Sequence, residues 1–390
     1  MTKPEVCIVA ARRTPQGRFL GGLRKLSALE LACAAGKAVL EGFDLQRIDQ
    51  VILGNVLGAG QGMNLSRQVG IHLGLPVQVP AFTVNMMCAS GMQAVVLAAQ
   101  AITSGAASTV LCGGTESMSN APYLLTHARH GYRLGDAEVI DSMLQDGLID
   151  AFDHRHMGHS AEALAAKYHI DREEQDRFAW FSQQRYAAAL DAGRFGDELV
   201  PVGGVAVDEH PRPGTSLEDL AAIKPAFVSD GTVTAGNASG INDGAAILLV
   251  AHRDEAERMG WPVLALIECS AACGCDPARM GLGPVHAIRK LCATTGHQLE
   301  AFDAIEINEA FSAQTLACLR ELEMDSDQIN QDGGAIAMGH PIGASGARLL
   351  VHLVHQFARG TLHHALASLC VGGGMGIAMS LTGPQQGYST

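Results

Sequence analysis

The sequence feature that most constrains the fold of this chain is an internal echo between its two halves. Three short segments recur in the same order at an offset near 254 positions: IDQVILGN (48–55) with FDAIEINE (302–309), Ala-Ser-Gly around Ser90 with Ala-Ser-Gly around Ser345, and LCGG (111–114) with LCVGG (369–373). Chance explains any one of these matches, but three in order indicate two structurally similar halves. A fold of two related halves usually places its binding site where they meet.

The pattern within each half predicts an α/β protein. Apolar, strand-like stretches such as EVCIVAA (5–11) alternate with helical stretches such as LSALELACAAGKAVLEG (26–42), which closes on a glycine. Strands that read as nearly continuous apolar runs are typical of sheets buried on both faces.

The middle of the chain differs in composition from both halves. It carries more charge and more histidine, and it contains one amphipathic helix that we expect to begin after the N-cap Asp171 and to stop at Gly193. We therefore predict a loop domain at 118–242 inserted into the first half. The N-terminal half is then 1–117 plus about 243–265, and the C-terminal half is 266–390.

Composition and charge exclude several classes of protein. The 390 residues are 47% hydrophobic and 17% charged, enough for a large core, and the formal net charge is −13. No basic run or basic–aromatic stripe is present, so we expect neither a nucleic-acid partner nor an anionic membrane partner. The apolar stretches fall short of the roughly 20 residues that a bilayer-spanning helix needs.

The cysteines are read as reduced thiols. There are ten, spread along the chain with no N-terminal secretory signal, so we expect a cytoplasmic location rather than a disulfide framework. The densest group, Cys269, Cys273 and Cys275, has neither a second Cys-x-x-Cys nor histidines at zinc-finger spacing. We expect no metal site.

Cys88 stands where a strand-like stretch passes into a helical one, in VNMMCASGMQAVVLAAQAI. A helix N-terminus would lower the pKa of the thiol through its dipole and free N–H groups. The small residues that follow, Ala89, Ser90 and Gly91, would leave room for an acyl group. This stretch alone leaves two interpretations open, a nucleophile and a buried structural cysteine.

His340 lies in the glycine-dense segment GGAIAMGHPIGASGAR (333–348), between Gly339 and Pro341. The loop removes neighbouring side chains and the proline restricts the backbone, which suits a base held close to a substrate. The alternative is a phosphate-binding loop, but no Gly-Lys-Ser/Thr follows.

Cys370 ends an apolar strand in SLCVGGGMG (368–376) and is followed by glycines whose N–H groups can face a developing oxyanion. The alternative is a strand-end turn with an incidental cysteine. The match of LCVGG to LCGG places Cys370 where the first half has Cys112, which favours a functional residue.

Asn308 and Glu309 follow another apolar strand, in INEAF (307–311). Polar groups at the carboxyl end of a strand are candidates for positioning a water molecule. A helix N-cap is the competing interpretation.

These four stretches together resemble the thiolase family. The motifs that carry the resemblance are NMMCASGMQA, NEAF, GGAIAMGHPIGASGAR and CVGGGMG, supported by GGTESMS, HMGHSAE, TAGNASGINDGAA and DPARMGLGPV, in family order over essentially the whole chain. The resemblance implies a five-layer α/β/α/β/α core of two similar halves with an inserted loop domain. It implies reversible condensation of two acetyl-CoA to acetoacetyl-CoA and CoA, or thiolysis of 3-ketoacyl-CoA.

The resemblance also implies residue roles. Cys88 would carry the acyl group as a thioester, and His340 would take its proton. Cys370 would remove and return the α-proton of the second acyl-CoA. Asn308 would hold a water that completes one oxyanion hole with His340, and the N–H groups of Cys88 and Gly372 would form the other.

Coenzyme A contacts follow from the same matching of motifs. The resemblance implies that the pantetheine or adenine side of coenzyme A contacts Leu148, His156, Met157, Arg212, Phe227, Ala235 and Ser239. It implies that the acyl end is lined by Met280, Ala310 and Phe311. The resemblance implies acetyl-CoA, acetoacetyl-CoA or a longer 3-ketoacyl-CoA as substrates and no permanently bound cofactor. It also implies a homo-oligomer, either a dimer or a dimer of dimers.

Three other classes remain as rivals. A β-ketoacyl synthase resembles thiolases in fold but pairs its cysteine with two histidines, or a histidine and an asparagine, and lacks a second catalytic cysteine. A non-catalytic acyl-CoA- or lipid-binding relative would be expected to lose Cys88, His340 or Cys370, and all three are present. A dinucleotide-binding oxidoreductase needs a Gly-x-Gly-x-x-Gly between strand and helix, which is not convincingly present.

Overall fold

The computed structural model describes residues 5–360 and 362–384, so the outermost residues of the predicted domain ranges lie outside it. The strands are β1 (Val6–Arg13), β2 (Gly17–Arg18), β3 (Gln50–Gly54), β4 (Ala81–Val84), β5 (Thr109–Ser117), β6 (Tyr123–Leu124), β7 (Ile140–Asp141), β8 (Asn242–His252), β9 (Ala265–Gly274), β10 (Ala304–Ile307), β11 (His364–Val371) and β12 (Met375–Thr382). The helices are α1 (Ala28–Val39), α2 (Leu65–His72), α3 (Ser90–Thr103), α4 (Met157–Tyr168), α5 (Arg172–Asp191), α6 (Leu217–Ala221), α7 (Arg253–Met259), α8 (Gly283–Thr295), α9 (Ser312–Leu322), α10 (Ala335–Met338) and α11 (Ile342–Ala358).

The main sheet runs through both halves in the order β10-β11-β12-β9-β1-β8-β5-β3-β4, with β2 on the side of β8. The two halves join where β1 and β9 pair antiparallel, through Cys7–Leu266 and Ile8–Ala265. Because this seam is only two residue pairs long, each half keeps a sheet region of its own.

The two sheet regions have the same topology. In the first, β4, β3 and β5 are parallel, and β8 and β1 then continue antiparallel. In the second, β10 and β11 are parallel, and β12 and β9 continue antiparallel. A parallel bridge from Ile305 to Ile329 takes the place of the β3–β4 pairing. The prediction of two similar halves is confirmed.

A carboxylate clamp recurs at the start of β5 and β11. Asp49 Oδ2 accepts the N–H groups of Thr109 and of the residue before it, at 3.0 and 2.6 Å. Asp303 Oδ2 does the same with His364 and the residue before it, at 2.9 and 2.7 Å. The clamp therefore makes Thr109 and His364 equivalent positions of the two halves.

This register corrects one sequence-based expectation. Counting from the clamped residues, Cys370 is equivalent to Thr115, not to Cys112. The predicted equivalence of Cys112 and Cys370 is wrong by three residues. The segments LCGG and LCVGG match in sequence, but they occupy different positions in the hydrogen-bonding register of β5 and β11.

Two helices, α3 and α11, pack against each other between the sheet regions. A Cβ on Gly91 would lie 2.9 Å from the Cβ of Ala347, and a Cβ on Gly346 would lie 2.8 Å from the Cβ of Met92. Each of these glycines closes an Ala-Ser-Gly triplet. The repeated triplet is thus what lets the two central helices approach so closely.

The remaining helices of the core cover the outer faces. Helix α1 packs on β5 and β8, and α2 on β3 and β4; α8 packs on β9, β11 and β12, with α9 beside it. The order is helices, sheet, helices, sheet, helices, so the five-layer α/β architecture is confirmed. Helix α1 begins at a capping box in which Ser27 and Glu30 satisfy each other's backbone N–H groups.

An insert of 124 residues (118–241) joins β5 to β8, whereas three glycine positions (372–374) join the equivalent strands β11 and β12. The insert holds β6, β7 and α4 to α6. Helix α5 begins after Asp171, whose carboxylate accepts the N–H of Glu174 at 2.8 Å, as predicted. Helices α4 and α5 both pack on α9, so an insert that leaves the first half covers the second.

In the described residues, no helix combines the length and apolar character needed to cross a membrane.

Candidate active site

The insert and the two halves enclose a cavity of about 340 Å³. Its wall contains every predicted site residue except Asn308 and Glu309: Cys88, Leu148, His156, Met157, Arg212, Phe227, Ala235, Ser239, Met280, Ala310, Phe311, His340, Cys370 and Gly372. Residues that are up to 284 positions apart in sequence, such as Cys88 and Gly372, therefore face one space.

Cys88 is presented by a turn that precedes α3. Met87 has φ +49°, a left-handed backbone conformation that residues other than glycine rarely adopt. The Ser90 hydroxyl donates to the carbonyl of Met87 at 2.6 Å and accepts the N–H of Met86 at 2.9 Å. The Asn85 side chain accepts the N–H of Met87 at 3.0 Å. These three hydrogen bonds hold the turn, which places the Cys88 thiol on the cavity wall.

The electrostatics of Cys88 differ from the sequence-based expectation. Burial raises the pKa of the thiol to about 11, although the N–H groups of Gly372 and Cys88 itself point at the sulfur and favour the thiolate. The expected lowering of the pKa at a helix N-terminus is wrong, because the loss of hydration outweighs two hydrogen bonds. Cys88 therefore needs a base.

His340 is positioned by a serine of the repeated triplet. The Ser345 hydroxyl donates to the carbonyl of Pro341 at 2.8 Å and lies 2.6 Å from His340 Nδ1. The arrangement fits a neutral imidazole in the tautomer in which Nδ1 carries the ring proton and donates it to Ser345, while the hydroxyl proton is used on Pro341. The other nitrogen, Nε2, is left unprotonated, and it is buried with no hydrogen-bond partner in the described part of the chain.

Burial, with a contribution from Arg348, lowers the pKa of His340 to about 3. The imidazole is therefore neutral near pH 7 and able to accept a proton. Its backbone is fixed as well, because the N–H of His340 donates to Asn242 Oδ1 at 2.9 Å. Gly339 has φ +107°, and a Cβ there would lie 2.4 Å from the Asn242 side chain, so only glycine fits.

The phosphate-binding interpretation of this loop is disfavoured by its hydrogen bonds. The N–H of Gly343 donates to the carboxylate of Glu116 at 2.9 Å, and that of His340 is used on Asn242. An anion would have to displace these partners and approach a carboxylate.

Cys370 is near the end of β11, where it pairs with Gly376 of β12. Burial raises the pKa of its thiol well above the usual value, and the nearby Cys88 raises it further. Burial therefore favours the neutral form of both thiols. The interpretation of Cys370 as an incidental strand-end residue does not explain why two thiols and an imidazole share one wall.

Asn308 lies behind the cavity wall rather than on it. It is fully buried, and both atoms of its side-chain amide lack a partner among the described residues. Unpaired buried amides are rare, and a bound water is the usual explanation. The predicted water-positioning role fits this observation, whereas an N-cap role does not, because α9 begins after Phe311.

Glu309 has a structural role. Its carboxylate accepts the Ser182 hydroxyl at 2.7 Å, the Asn330 amide at 2.8 Å and the N–H of Ile336 at 3.1 Å. It thereby ties α5 of the insert to the loop that leads to His340. Neither water positioning nor an N-cap describes this residue.

The aromatic part of the wall is built around Phe227. Its ring stacks on His156 at a centroid distance of 4.7 Å and meets Phe311 edge-on at 6.2 Å. His156 also caps α4, because its Nδ1 accepts the N–H of Gly158 at 3.1 Å. These aromatic side chains line the same cavity as the thiols of Cys88 and Cys370.

Arg212 is exposed at the mouth of the cavity. Together with His210 and Ala235 it also lines an adjoining cavity of about 340 Å³. Burial and the Arg212 charge lower the pKa of His210 to about 4. A cation at this mouth, in a protein of net charge −13, is suited to an anionic group.

Sequence reasoning missed several wall residues: Met87, Met118, Gly147, His210, Ala226, Thr234, Ala238, Gly240, Ile241 and Ile342. It also gave Ser345 no role. The repeated triplet was the signal for Ser345, whereas His210 lies in a proline-rich loop segment with no pattern that points to a cavity.

A cavity with a thiol at a strained turn, a free imidazole nitrogen and a second thiol is typical of enzymes that carry an acyl group on cysteine. Comparison with known families agrees. Residues 6–254 match the description "Thiolase, N-terminal domain", and residues 261–383 match "Thiolase, C-terminal domain".

Individual proteins give the same result. The chain is 51% identical to an acetyl-CoA acetyltransferase of Pseudomonas aeruginosa, covering 97% of this chain and 99% of that one, and 50% identical to one of Chromobacterium violaceum, covering 97% and 100%. Human mitochondrial 3-ketoacyl-CoA thiolase, solved in complex with CoA, superposes with a TM-score of 0.95 at 44% identity and 98% coverage of both chains. The chain therefore belongs to the thiolase family, and it is an acyltransferase of that family that acts on acyl-CoA.

Proposed function

We propose that this enzyme interconverts two acetyl-CoA with acetoacetyl-CoA and CoA, and cleaves longer 3-ketoacyl-CoA to the extent that its cavity accepts them. Both kinds of name occur among its relatives, acetyl-CoA acetyltransferase and 3-ketoacyl-CoA thiolase. The observation that carries the proposal is the buried, unpaired Nε2 of His340 in the same cavity as the thiols of Cys88 and Cys370.

In thiolysis, His340 Nε2 takes the proton of the Cys88 thiol as the sulfur attacks the 3-keto carbonyl. Because burial suppresses charge on both groups, we expect proton transfer to be concerted with attack rather than to precede it. The carbon–carbon bond then breaks, which leaves an acyl thioester on Cys88 and the enolate of acetyl-CoA.

Cys370 gives its thiol proton to the α-carbon of that enolate, which leaves as acetyl-CoA. The thiol of CoA then attacks the acyl thioester, and Cys88 is released with the proton from His340. The Cys370 thiolate recovers a proton from the incoming CoA thiol. Condensation runs through the same steps in reverse, so one set of groups serves both directions.

Two sites stabilise negative charge in this scheme. The N–H groups of Cys88 and Gly372 point at the Cys88 sulfur and would donate to the oxygen of the acyl thioester. Asn308, through a water, and His340 would serve the enolate oxygen of the second acyl-CoA. The unpaired amide of Asn308 supports this second assignment.

We further propose that residues 118–242 act as the loop domain that binds coenzyme A. The aromatic wall around Phe227 would hold pantetheine, and Arg212 with the adjoining cavity would hold the nucleotide end. Met280, Ala310 and Phe311 would face the acyl chain. No metal or permanently bound cofactor takes part in these steps.

The experiment that tests the proposal is acylation of Cys88→Ser with acetyl-CoA, followed by mass spectrometry of the intact protein and its peptides. Serine is a far weaker nucleophile near neutral pH, so we expect no acetyl adduct at that site. Cys33→Ser is the matched control, because Cys33 is half-buried on α1 and lies off the cavity wall. An acetyl adduct at position 88 of the Cys88→Ser variant, or a control that also loses acylation, would contradict the assignment.

A second experiment sets the substrate range. Thiolysis rates over 3-ketoacyl-CoA of increasing length, measured beside condensation of acetyl-CoA, would show where the cavity stops accepting chain. Activity toward acyl-carrier-protein thioesters in place of CoA thioesters would instead favour the β-ketoacyl synthase alternative.

We also propose that the enzyme is a homo-oligomer, a dimer or a dimer of dimers, in the cytoplasm. Strand β4 lies at the edge of the sheet, and near it Phe82 and Val77 are 39% and 69% exposed, which a self-association surface would cover. The ten cysteines form no disulfide in the described residues, as expected in a reducing compartment. Light scattering on the purified protein and cell fractionation test the two statements.

A further inference from the structure

Three side chains with metal-binding atoms meet on the second half, outside the cavity described above. Glu268 belongs to β9, His297 follows α8, and His364 begins β11. One ligand atom from each, a carboxylate oxygen and two ring nitrogens, lies within 4.8 Å of the other two, and all three residues are partly exposed. Folding thus brings together residues that are 29 and 67 positions apart.

The backbone of Glu268 is irregular. In the pairing of β9 with β12, Ser380 is opposite Cys269 and Leu381 is opposite Ile267, so Glu268 has no partner of its own. It is the extra residue of a β-bulge. Bulges redirect a side chain away from the alternation of the strand, and they are common at functional sites.

Outer contacts orient the side chains of Glu268 and His297 and hold the backbone of His364. The Ser380 hydroxyl donates to Glu268 Oε2 at 2.8 Å, while Glu268 Oε1 lies 2.7 Å from His297 Nε2. The His297 ring is held edge-on against Phe302. His364 is fixed by the clamp of Asp303 on its backbone N–H. Such second partners are what hold metal-binding histidines and carboxylates in place.

A simple Glu268–His297 ion pair leaves part of this arrangement unexplained. His364 lies edge-on to His297 at a centroid distance of 5.2 Å, and its Nδ1 is buried without a hydrogen-bond partner in the described residues. The ion pair involves only His297. It neither satisfies the buried Nδ1 of His364 nor accounts for the contact between the two rings.

We propose that Glu268, His297 and His364 bind a divalent transition-metal ion, with Zn²⁺ as the best match. Two neutral imidazole nitrogens and one carboxylate oxygen form a ligand set that suits zinc and leaves a fourth position for water. Binding replaces the Glu268–His297 hydrogen bond with two metal bonds, and the proton on His297 Nε2 must leave that nitrogen while Nδ1 carries the ring proton.

The geometry needs only side-chain rotation. Tetrahedral bonds of about 2.0–2.1 Å put ligand atoms roughly 3.4 Å apart. The 2.7 Å Glu268–His297 contact would open, and the distances to His364, now at most 4.8 Å, would close. Since all three residues are partly exposed, this movement does not disturb the core.

The site is separate from the thiol cavity. None of its ligands is on the cavity wall, and His364 and Cys370 lie six residues apart on β11, or roughly 20 Å along an extended strand. The ion would link β9, β11 and the end of α8 rather than take part in acyl transfer.

Isothermal titration with Zn²⁺ and absorption spectroscopy with Co²⁺ test the proposal. The starting protein is the double variant Cys88→Ala, Cys370→Ala, which removes the cavity thiols as competing ligands. Three substitutions are introduced separately into this protein: His364→Ala, the conservative Glu268→Gln, and Ser380→Ala, which removes the hydroxyl that donates to Glu268. The matched control is His363→Ala, because His363 is the exposed neighbour of His364 and is not part of the cluster.

We expect the starting protein and the His363→Ala control to bind one more equivalent of Zn²⁺ than His364→Ala or Glu268→Gln. Ser380→Ala should keep the stoichiometry and weaken binding by roughly 10-fold or more. The Co²⁺ spectrum should show a site of nitrogen and oxygen ligands without thiolate charge transfer. Equal stoichiometry in all variants, no binding, or a thiolate spectrum that persists in Glu268→Gln would overturn the proposal.

Discussion

Removal of the Ser345 hydroxyl tests the tautomer on which the proposed chemistry depends. In Ser345→Ala, His340 loses the acceptor that lies 2.6 Å from Nδ1, and the carbonyl of Pro341 loses a donor at 2.8 Å. Both groups are in a fully buried environment, and Ser345 itself is 0% exposed. The proton of the imidazole is then free to move to Nε2, which no longer accepts a proton from Cys88.

The magnitude follows from these contacts. An unsatisfied buried donor costs about 1–3 kcal/mol, and we expect a loss of stability in that range. If the transition state loses a similar stabilisation, of about 1.4–2.8 kcal/mol, kcat for thiolysis falls by roughly 10- to 100-fold. The KM for CoA should change little, because Ser345 does not line the cavity.

The assay is steady-state thiolysis of acetoacetyl-CoA, with the free energy of unfolding measured by denaturant titration on the same samples. Ser66→Ala is the matched control, because Ser66 is equally buried and its hydroxyl accepts the N–H of Leu53 at 3.1 Å, away from the cavity. The control should lose stability but keep kcat. A Ser345→Ala enzyme that keeps kcat within about twofold while it loses stability would refute the tautomer argument.

Three further predictions concern other parts of the molecule. Cys370→Ala should still acetylate Cys88 but exchange the α-protons of acetyl-CoA in heavy water at least about 100-fold more slowly, as followed by NMR; undiminished exchange would remove Cys370 from the acid/base role. Gly91→Ala would place a methyl group 2.9 Å from the Cβ of Ala347, so we expect a loss of about 1–3 kcal/mol in a denaturant titration, and an unchanged midpoint would show that the helices can separate freely. Burial alone would lower the pKa of His352, but the carboxylates of Glu198 and Asp332 raise it to about 9. The protonated His352 therefore stabilises the fold fully below the pKa of the unfolded chain, near 6.5, and this stabilisation is lost as the pH rises through about 9. The loss of stability in His352→Asn should therefore be about 3 kcal/mol smaller at about pH 10 than at about pH 6, and a constant difference would contradict this sign.

The grouping of the candidate site residues could be predicted from sequence because these residues lie in short, recognisable segments. Cys88 and His340 stand among small residues, and each of these segments carries an Ala-Ser-Gly triplet, so their backbone environment is visible in the letters. The echo also predicted two halves, since strand order and spacing survive in both.

Burial and hydrogen-bond register could not be predicted in the same way. The expected low pKa of Cys88 considered a local helix terminus but not the hydration that the whole fold removes. The Cys112–Cys370 equivalence followed letters, whereas the register is set by Asp49 and Asp303.

The grouping of Glu268, His297 and His364 could not be predicted for a third reason. Its members come from three elements that are distant in sequence, and one of them, Glu268, reaches its position only because a bulge interrupts β9. No spacing rule contains that information.

The different connections between equivalent strands have a consequence for folding. Closing β5 onto β8 must restrain the 124 intervening residues, whereas closing β11 onto β12 restrains three. The entropy of loop closure grows as three-halves RT times the logarithm of length, so the first pairing carries a penalty larger by about 3 kcal/mol. The copy without the insert is thus the entropically easier half to assemble, and it offers α4 and α5 a formed surface on which to dock.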